Sequence, residues 1–462
     1  MAKHPLTKRE QQRDISRRAL IKWSVAAGAA LGVSRAKIFD ILDKTAGRDV
    51  AWAASQSLTT RSVQIHAGNG GLAWFTQLFP FPGIATSGNG AFSYVGMGAA
   101  QPVAGVGTRY VENPNLSPWA NLPAALKPTC FVCGRNETHT QTPVSTTSLN
   151  GANISAIAAA LQSSAPSVIP AIQVGDADFG TAPGAPRPAA VGNGQGIVGL
   201  FNSAASRAGG LLATKQNADL YKAQYDAFTQ LNRAANRSTT KASYVTASGA
   251  AGFLGTNLSA KLSITPEDQA RYGLTGGTRN NVRQIGETLI VSAKAFKMGL
   301  TNSVTLPAMR DDPHGAFDSG DINNVPQQIK GVLDGFMGDL TSMTDDVTGE
   351  TLRDTTTIVI VGDTFKDPRS RPGWGDGTPQ NTNVMYVYGA GHLKSGWFGD
   401  ITGNAVQGFN ANGQPATYDG AATARLAAAA FAYAVAKRDD RMISQFANGI
   451  KIGGVFGLLK DA

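Results

Sequence analysis

Two groups of acidic side chains follow predicted strands and could bind a divalent cation. The first follows the extended run 303–306 and comprises Asp311, Asp312, His314, Asp318 and Asp321. The second follows the apolar run 357–361 and comprises Asp363, Asp367 and Asp376. Oxygen ligands alone favour calcium or magnesium, and an added imidazole favours zinc. The spacing leaves open a second interpretation, in which these are solvated carboxylates of ordinary turns.

The two cysteines of the chain form a CxxC pair, Cys130 and Cys133. Residues three apart on a strand point to opposite faces, so a disulfide would need a local turn. Two thiolates cannot supply a four-cysteine zinc site, and Gly134 stands where c-type haem attachment needs histidine. We therefore expect two buried thiols, with a local disulfide or redox pair as the alternative.

A glycine-rich turn, Gly68-Asn69-Gly70-Gly71, follows the first predicted strand. Its backbone N–H groups could face a phosphate, but the sequence matches neither the P-loop nor the dinucleotide-binding pattern. A tight turn from a strand into a helix is the simpler interpretation.

Strand-like and helix-like patterns alternate along the chain. Extended apolar runs lie at 62–66, 129–133, 167–174, 303–306, 357–361 and 384–388. Apolar residues at helical spacing lie at 154–161, 221–228, 282–296 and 325–340. This alternation predicts an α/β fold with a mostly parallel sheet sandwiched between helices. We expect a single α/β domain over residues 55–462, with a Gly/Pro-rich surface loop near 176–194.

The composition is that of an ordinary globular protein. The 462 residues are 42% hydrophobic and include 54 glycines and 22 prolines, too few for low-complexity disorder. The formal net charge is +9, but residues 1–54 contain eleven Lys and Arg against five Asp and Glu. Because most of the basic character lies in that segment, the remainder lacks the basic surface that nucleic acid requires, and we expect no nucleic-acid partner.

Residues 1–54 read as an export signal. Ser16-Arg17-Arg18-Ala19-Leu20-Ile21-Lys22 precedes the apolar stretch 23–33, and Ala51-Trp52-Ala53 supplies small residues for cleavage. This pattern predicts a twin-arginine signal, with Arg17 and Arg18 as its recognition residues, the Tat export machinery as a partner and a periplasmic or extracellular destination. The apolar stretch is too short to span a bilayer, and no permanent membrane span is expected. The alternative is a basic amphipathic helix that lies on a membrane or folds against the domain.

Several short motifs follow one another along the chain in an order that is characteristic of one family. They are Gly70-Gly71, Thr138-His139, Arg271-Tyr272-Gly273, Phe317-Asp318, Gly362-Asp363-Thr364, Asp376-Gly377-Thr378, Gly389-Ala390-Gly391 and Gly399-Asp400. In this order the chain resembles the Tat-exported bacterial family of domain of unknown function 1501, which is grouped with the alkaline phosphatase and sulfatase superfamily. The resemblance covers most of residues 55–462.

The resemblance implies an alkaline-phosphatase-like sandwich, with site residues at strand ends where active relatives hydrolyse phosphate or sulfate esters with metal ions. At four positions where the family places metal-binding or catalytic groups this chain has other residues: Thr76, Phe79, Gly320 and Gly377. The positions that keep a ligand type are His139, Asp318, Asp363 and Asp376, which could hold one divalent cation, Ca, Mg or Zn. Thr364 is the nearest hydroxyl and the candidate nucleophile.

These features lead us to expect an exported, catalytically degenerate alkaline-phosphatase- or sulfatase-like protein that binds a ligand or a protein partner. The first alternative is a metal-dependent hydrolase of phosphate or sulfate esters that uses the remaining Asp and His residues. A structural cell-surface component is the second, and it fits the low charge and the Gly/Ala richness.

Overall fold

The computed structural model of the chain describes residues 58–83, 101–106, 110–165, 167–201, 257–313, 321–366, 377–447 and 450. The strands are β1 (Arg61–Ala67), β2 (Gln101–Pro102), β3 (Val111–Glu112), β4 (Thr129–Val132), β5 (Ser148–Leu149), β6 (Ala152–Asn153), β7 (Ile169–Val174), β8 (Ala189–Val191), β9 (Thr301–Pro307), β10 (Thr356–Gly362), β11 (Val384–Tyr388), β12 (Gly396–Phe398), β13 (Asp400–Thr402), β14 (Ala405–Phe409) and β15 (Pro415–Thr417). The α-helices are α1 (Ala73–Thr76), α2 (Ile154–Leu161), α3 (Gly194–Leu200), α4 (Leu258–Leu262), α5 (Pro266–Arg271), α6 (Asn280–Lys297), α7 (Asp321–Ser342), α8 (Leu352–Thr355), α9 (Gly420–Val435) and α10 (Asp440–Ala447).

Backbone contacts divide the chain into two compact units. The larger comprises residues 56–165, 169–200 and 262–462 and contains all fifteen strands. The smaller comprises residues 1–55, 166–168 and 201–261. Most of the smaller unit, including the predicted helix at 221–228 and the signal residues Arg17 and Arg18, lies outside the described residues.

One sheet of eight strands forms the centre of the larger unit, in the order β12-β4-β11-β10-β1-β9-β7-β8. Strand β1 pairs in parallel with β9 and with β10, and β7 pairs in parallel with β9 and with β8. Strand β11 runs antiparallel to both of its neighbours, β10 and β4, whereas β12 is parallel to β4. The predicted α/β fold with a mostly parallel sheet is therefore confirmed.

The central strands are buried along their whole length. Every residue of β1 and of β10 is buried, and the apolar run of β10 fits a strand that is covered on both faces. Small antiparallel sheets, β2–β3, β5–β6 and β13–β14–β15, lie outside the large sheet. Because parallel strands that are covered on both faces point their carboxyl ends to one edge, the connecting loops at that edge are brought together.

Local signals in the sequence set the ends of several helices. Asn153 caps α2, where its side-chain oxygen accepts from the Ser155 N–H at 2.8 Å. Thr265 and Asp268 form a reciprocal capping box at the start of α5. Helix α6 buries one apolar stripe and carries Lys294 and Lys297 in its last turn, where positive charge favours the helix dipole.

Helices pack on both faces of the sheet. On one face α2, α9 and α10 bury apolar residues against Phe131, Val359, Val361 and Val387. Side chains of β11 that point to the other face join an aromatic cluster, in which the rings of Phe79 and Tyr386 lie 4.7 Å apart. No helix in the described ranges combines the length and the apolar character that a bilayer crossing requires.

Candidate functional site

The loops that follow β1, β4, β9 and β10 meet at one edge of the large sheet. Asn69, in the loop after β1, contacts the loops after β4 and β9. Its backbone N–H donates to the Thr140 carbonyl at 2.8 Å, and its side-chain amide donates to the Arg310 carbonyl at 3.1 Å. Thr140 follows β4 and Arg310 follows β9. We name the region formed by these four loops the strand-end site.

Asp363, the first residue after β10, is fully buried and connects the loops after β1 and β4. One carboxylate oxygen accepts from the Gly70 N–H and the other from the Thr140 N–H, both at 2.7 Å. Burial raises the pKa of this carboxyl, and the two backbone donors oppose that rise by stabilising the charge. Each oxygen of Asp363 therefore already has a partner within the protein.

Asp312, in the loop after β9, lies between two basic side chains. One of its oxygens lies 3.2 Å from His139 Nε2 and the other lies 2.9 Å from Lys366 Nζ. The Lys366 side chain is fully buried, whereas that of His139 is 40% exposed. The loops after β4, β9 and β10 thus contribute one residue each to a group of polar side chains that has an open side at His139.

A second ion pair holds the same loop after β9 against the start of α6. Arg279 pairs with Asp311, and the Asn281 side-chain amide donates to the other Asp311 oxygen at 3.1 Å. The guanidinium of Arg279 lies 5.2 Å from the ring centre of Trp74, whose indole N–H donates to the Asp311 carbonyl at 3.0 Å. Asp311 is therefore bound by protein donors and is not a solvated turn residue.

Six of the thirteen described residues other than glycine that take a left-handed backbone conformation lie in these loops. They are Asn69, Thr138, His139, Met309, Thr364 and Lys366. Such conformations cost roughly 1–3 kcal/mol each and persist where the surrounding structure imposes them, most often at ligand and active sites. The strand-end site is therefore held in a defined shape at an energetic cost.

Thr364 combines a β-branched side chain with a φ of 46°, an uncommon conformation that it shares in this set with Thr138. Its hydroxyl is buried, donates to Asn136 Oδ1 at 2.8 Å, and lies 3.3 Å from an Asp363 oxygen. A nucleophilic hydroxyl needs a neighbouring base and access to a substrate. In the structure this hydroxyl donates to an amide and is enclosed.

The glycine-rich turn after β1 is a tight strand-to-helix turn that leads into α1. A Cβ at position 71 would lie 1.4 Å from the Met309 carbonyl oxygen. The close contact with the loop after β9 therefore requires glycine at position 71. The Gly70 N–H donates to Asp363. These close contacts account for the glycines through packing, without a phosphate.

Of the four predicted metal ligands, the structure brings His139 and Asp363 to the strand-end site. Asp318 and Asp376 lie outside the described residues, as do His314 and Asp367 of the two acidic groups. Within the ranges that the structure describes, no group of three or more His, Cys, Asp or Glu side chains is arranged to hold a metal ion. The predicted four-residue set therefore stays a prediction.

Lys366 and Asn136 are among the site residues that the sequence interpretation did not single out. Asn136 lies in an irregular loop outside any motif. The one available signal for Lys366 was its place two residues after the Gly362-Asp363-Thr364 motif. Its burial against Asp312 follows from the folding of two loops that are distant in sequence.

The two cysteines are buried and free, as expected for the thiol interpretation. Burial raises the pKa of both thiols well above the usual value, and their thiolate populations at neutral pH are therefore very small. Neither is suited to redox exchange in the folded chain.

We therefore expect the folded chain to leave a water-soluble disulfide reagent such as dithionitrobenzoate almost unreacted over minutes at pH 8. In denaturant the same chain should release two equivalents of thionitrobenzoate. The measurement is the absorbance of that product. Rapid reaction of the folded protein would show that one of the thiols is accessible.

Comparison of the chain with family models, with curated proteins and with solved structures finds no match in any of the three. The functional proposal therefore rests on the residues and the geometry of the strand-end site.

Proposed function

We propose that this chain is an exported, catalytically degenerate protein of the alkaline-phosphatase and sulfatase type, which binds a ligand or a protein partner at the strand-end site. The motif resemblance is the basis for assigning the chain to that superfamily and for the alkaline-phosphatase-like fold. Support for a binding role comes from the hydrogen bonds and ion pairs that the described residues of the strand-end site form.

The observation that carries the proposal is that the carboxylates of the site are paired within the protein. Asp363 accepts two backbone N–H groups, and Asp312 contacts His139 and Lys366. A metal centre would need these oxygens for the cation, and a cation bound at Asp312 would be repelled by the ammonium group of Lys366, which lies 2.9 Å from that carboxylate. Loops fixed in shape, with an exposed imidazole at their rim, suit the binding of a polar ligand better than metal-assisted hydrolysis.

A second observation concerns two positions after the first strand, at which the family that the chain resembles has acidic residues. Thr76 donates its hydroxyl to the Phe365 carbonyl at 2.8 Å, and the Phe79 ring packs against Tyr386. Both residues are buried. Their side chains now stabilise the fold, and the oxygen ligands that a two-metal mechanism requires are missing from these positions.

Hydrolysis assays on phosphate and sulfate monoesters test this proposal. The chain is assayed with added Zn²⁺, Mg²⁺ or Ca²⁺, with and without a chelator, and the Thr364→Ala variant serves as the comparison. We expect wild-type turnover to equal that of the variant in every condition, because the Thr364 hydroxyl is enclosed. Chelator-sensitive turnover that Thr364→Ala abolishes would contradict the degenerate assignment.

The conformation of Thr364 favours one second candidate, a metal-dependent ester hydrolase. A β-branched residue in a left-handed conformation directly after an acidic strand end is the kind of local strain found at catalytic sites. In that case the Asp363 oxygen that lies 3.3 Å from the Thr364 hydroxyl would act as its base, the hydroxyl would have to release Asn136 and become accessible, and the assay above would detect the activity.

Export through the twin-arginine route is the localisation part of the proposal. Replacing both Arg17 and Arg18 with lysine should retain the chain in the cytoplasm, because the machinery reads the arginine pair. The measurement is the distribution of the chain between cytoplasmic and exported fractions. The matched control is Arg13→Lys, outside the pair, which should be exported normally. Equal export of the double variant would contradict the proposed route.

A further inference from the structure

A separate cavity of about 370 Å³ lies at the β7–β8 edge of the large sheet. It is formed by both strands and by the loop between them, part of the Gly/Pro-rich segment seen in the sequence. Its lining includes Gln173, Asp178, Phe179, Arg187, Pro188 and Ala190. The volume is within the usual range for a small-molecule site.

The cavity presents one positive and one negative side chain that do not pair with each other. Across the described part of the chain, neither Arg187 nor Asp178 forms an ion pair. One Asp178 oxygen accepts from the Asn153 side-chain amide at 2.8 Å, which fixes the carboxylate, and its other oxygen has no hydrogen-bond partner among the described residues. Both charges are thus available to a ligand.

The loop that carries these charges is held in place before any ligand binds. Arg187 stands between Pro186 and Pro188, which restrict the backbone on both sides of it. The backbone N–H of Asn153 donates to the Thr181 carbonyl at 3.1 Å, and that of Gly175 donates to the Val191 carbonyl at 2.7 Å. A site of fixed shape loses less conformational entropy when a ligand binds.

The charges identify the class of ligand. A simple anion would be repelled by Asp178, and a simple cation by Arg187, whereas a zwitterion satisfies both. The planar guanidinium matches a carboxylate, and the Asp178 carboxylate matches an ammonium group. Pro188 and Ala190 add exposed apolar surface to the lining, while Phe179 is 4% exposed and belongs to the core behind it.

We propose that this cavity binds a free amino acid with an apolar side chain, the carboxylate at Arg187 and the ammonium at Asp178. At about 30 Å³ per water molecule the cavity has the volume of roughly a dozen waters, enough for one such amino acid. The inference is independent of the strand-end site, since none of the cavity residues belongs to that site.

Isothermal titration calorimetry of the full chain with L-leucine tests the assignment. We expect saturable binding that Arg187→Gln and Asp178→Asn each weaken by at least about tenfold, because each removes one charge contact. Arg441→Gln is the matched control: its side chain is 90% exposed on α10, and the variant should bind leucine like the wild type. Circular dichroism reports whether each variant is folded.

Two blocked ligands test the same contacts on the wild-type chain, without any variant. Leucine methyl ester lacks the carboxylate and N-acetyl-leucine lacks the ammonium group, so each should bind at least about tenfold more weakly than leucine. Absence of saturable leucine binding would overturn the proposal. Equal binding of N-acetyl-leucine and leucine, or unchanged leucine binding by folded Arg187→Gln, would also overturn it.

Discussion

Replacing Asp363 with alanine is expected to lower the free energy of unfolding by about 2–5 kcal/mol, because each buried donor left without a partner costs about 1–3 kcal/mol. The two donors are the N–H groups of Gly70 and Thr140, of which the first is fully enclosed. Loss of the carboxylate also removes the link between the loops after β1 and β4. The measurement is urea unfolding followed by circular dichroism.

Two further variants make this expectation specific. Asp354→Ala removes an exposed carboxylate that pairs with the neighbouring Arg353, and it should cost less than about 1 kcal/mol. Asp363→Asn keeps the shape but can accept only one of the two N–H groups, so its loss should lie between those of the two alanine variants. An Asp363→Ala chain as stable as Asp354→Ala would contradict the structural role of this residue.

The second large effect is a dependence of stability on pH that arises from one buried histidine. His66 is the penultimate residue of β1 and is fully buried; its Nε2 lies 3.3 Å from the Ser155 hydroxyl, and its Nδ1 has no hydrogen bond within the described residues. Burial, together with the charge of Arg310, lowers the pKa of this imidazole from 6.5 to about 3.

The sign of the effect follows from the difference in bound protons. Between pH 6.5 and about 3 the unfolded chain binds a proton at His66 that the folded chain does not bind, so stability falls as the pH falls. The slope approaches about 1.4 kcal/mol per pH unit, which gives about 2 kcal/mol at pH 5 and roughly 4–5 kcal/mol at pH 3.

The measurement is the difference in unfolding free energy between the wild type and His66→Gln, taken at pH 7 and at pH 5. Glutamine stays neutral at both values, so the wild type should lose about 2 kcal/mol relative to the variant on going to pH 5. The other titrating groups are present in both chains and cancel in the difference. A pH-independent difference would show that the folded protein admits a protonated His66.

The elements that the sequence predicted correctly are those whose signal is local. The apolar run 357–361 and the helical stripe of 282–296 specify β10 and α6 because burial on both faces, or on one stripe, leaves a direct pattern. The direction of β11 could not be read in this way. Its five residues are all buried, and a fully buried strand has the same pattern whether it runs parallel or antiparallel.

The residues of the strand-end site were predictable only where a local signal, the end of a strand, places them. Strand ends place Asp363 and His139 at one edge of a parallel sheet, and both are found there. The contact of Asp312 with Lys366 depends on a loop in which Lys366 takes a φ of 51°, a conformation that only the packed tertiary structure imposes. Pairing between residues of distant loops leaves no periodic signal in the sequence.

The metal content of the purified chain tests the central claim most directly: the carboxylates of the strand-end site are satisfied by the protein itself. Elemental mass spectrometry should find far less than one divalent cation per chain, and a chelator should leave the melting temperature unchanged. One tightly bound calcium, magnesium or zinc ion per chain, together with a lower melting temperature after chelation, would contradict the account.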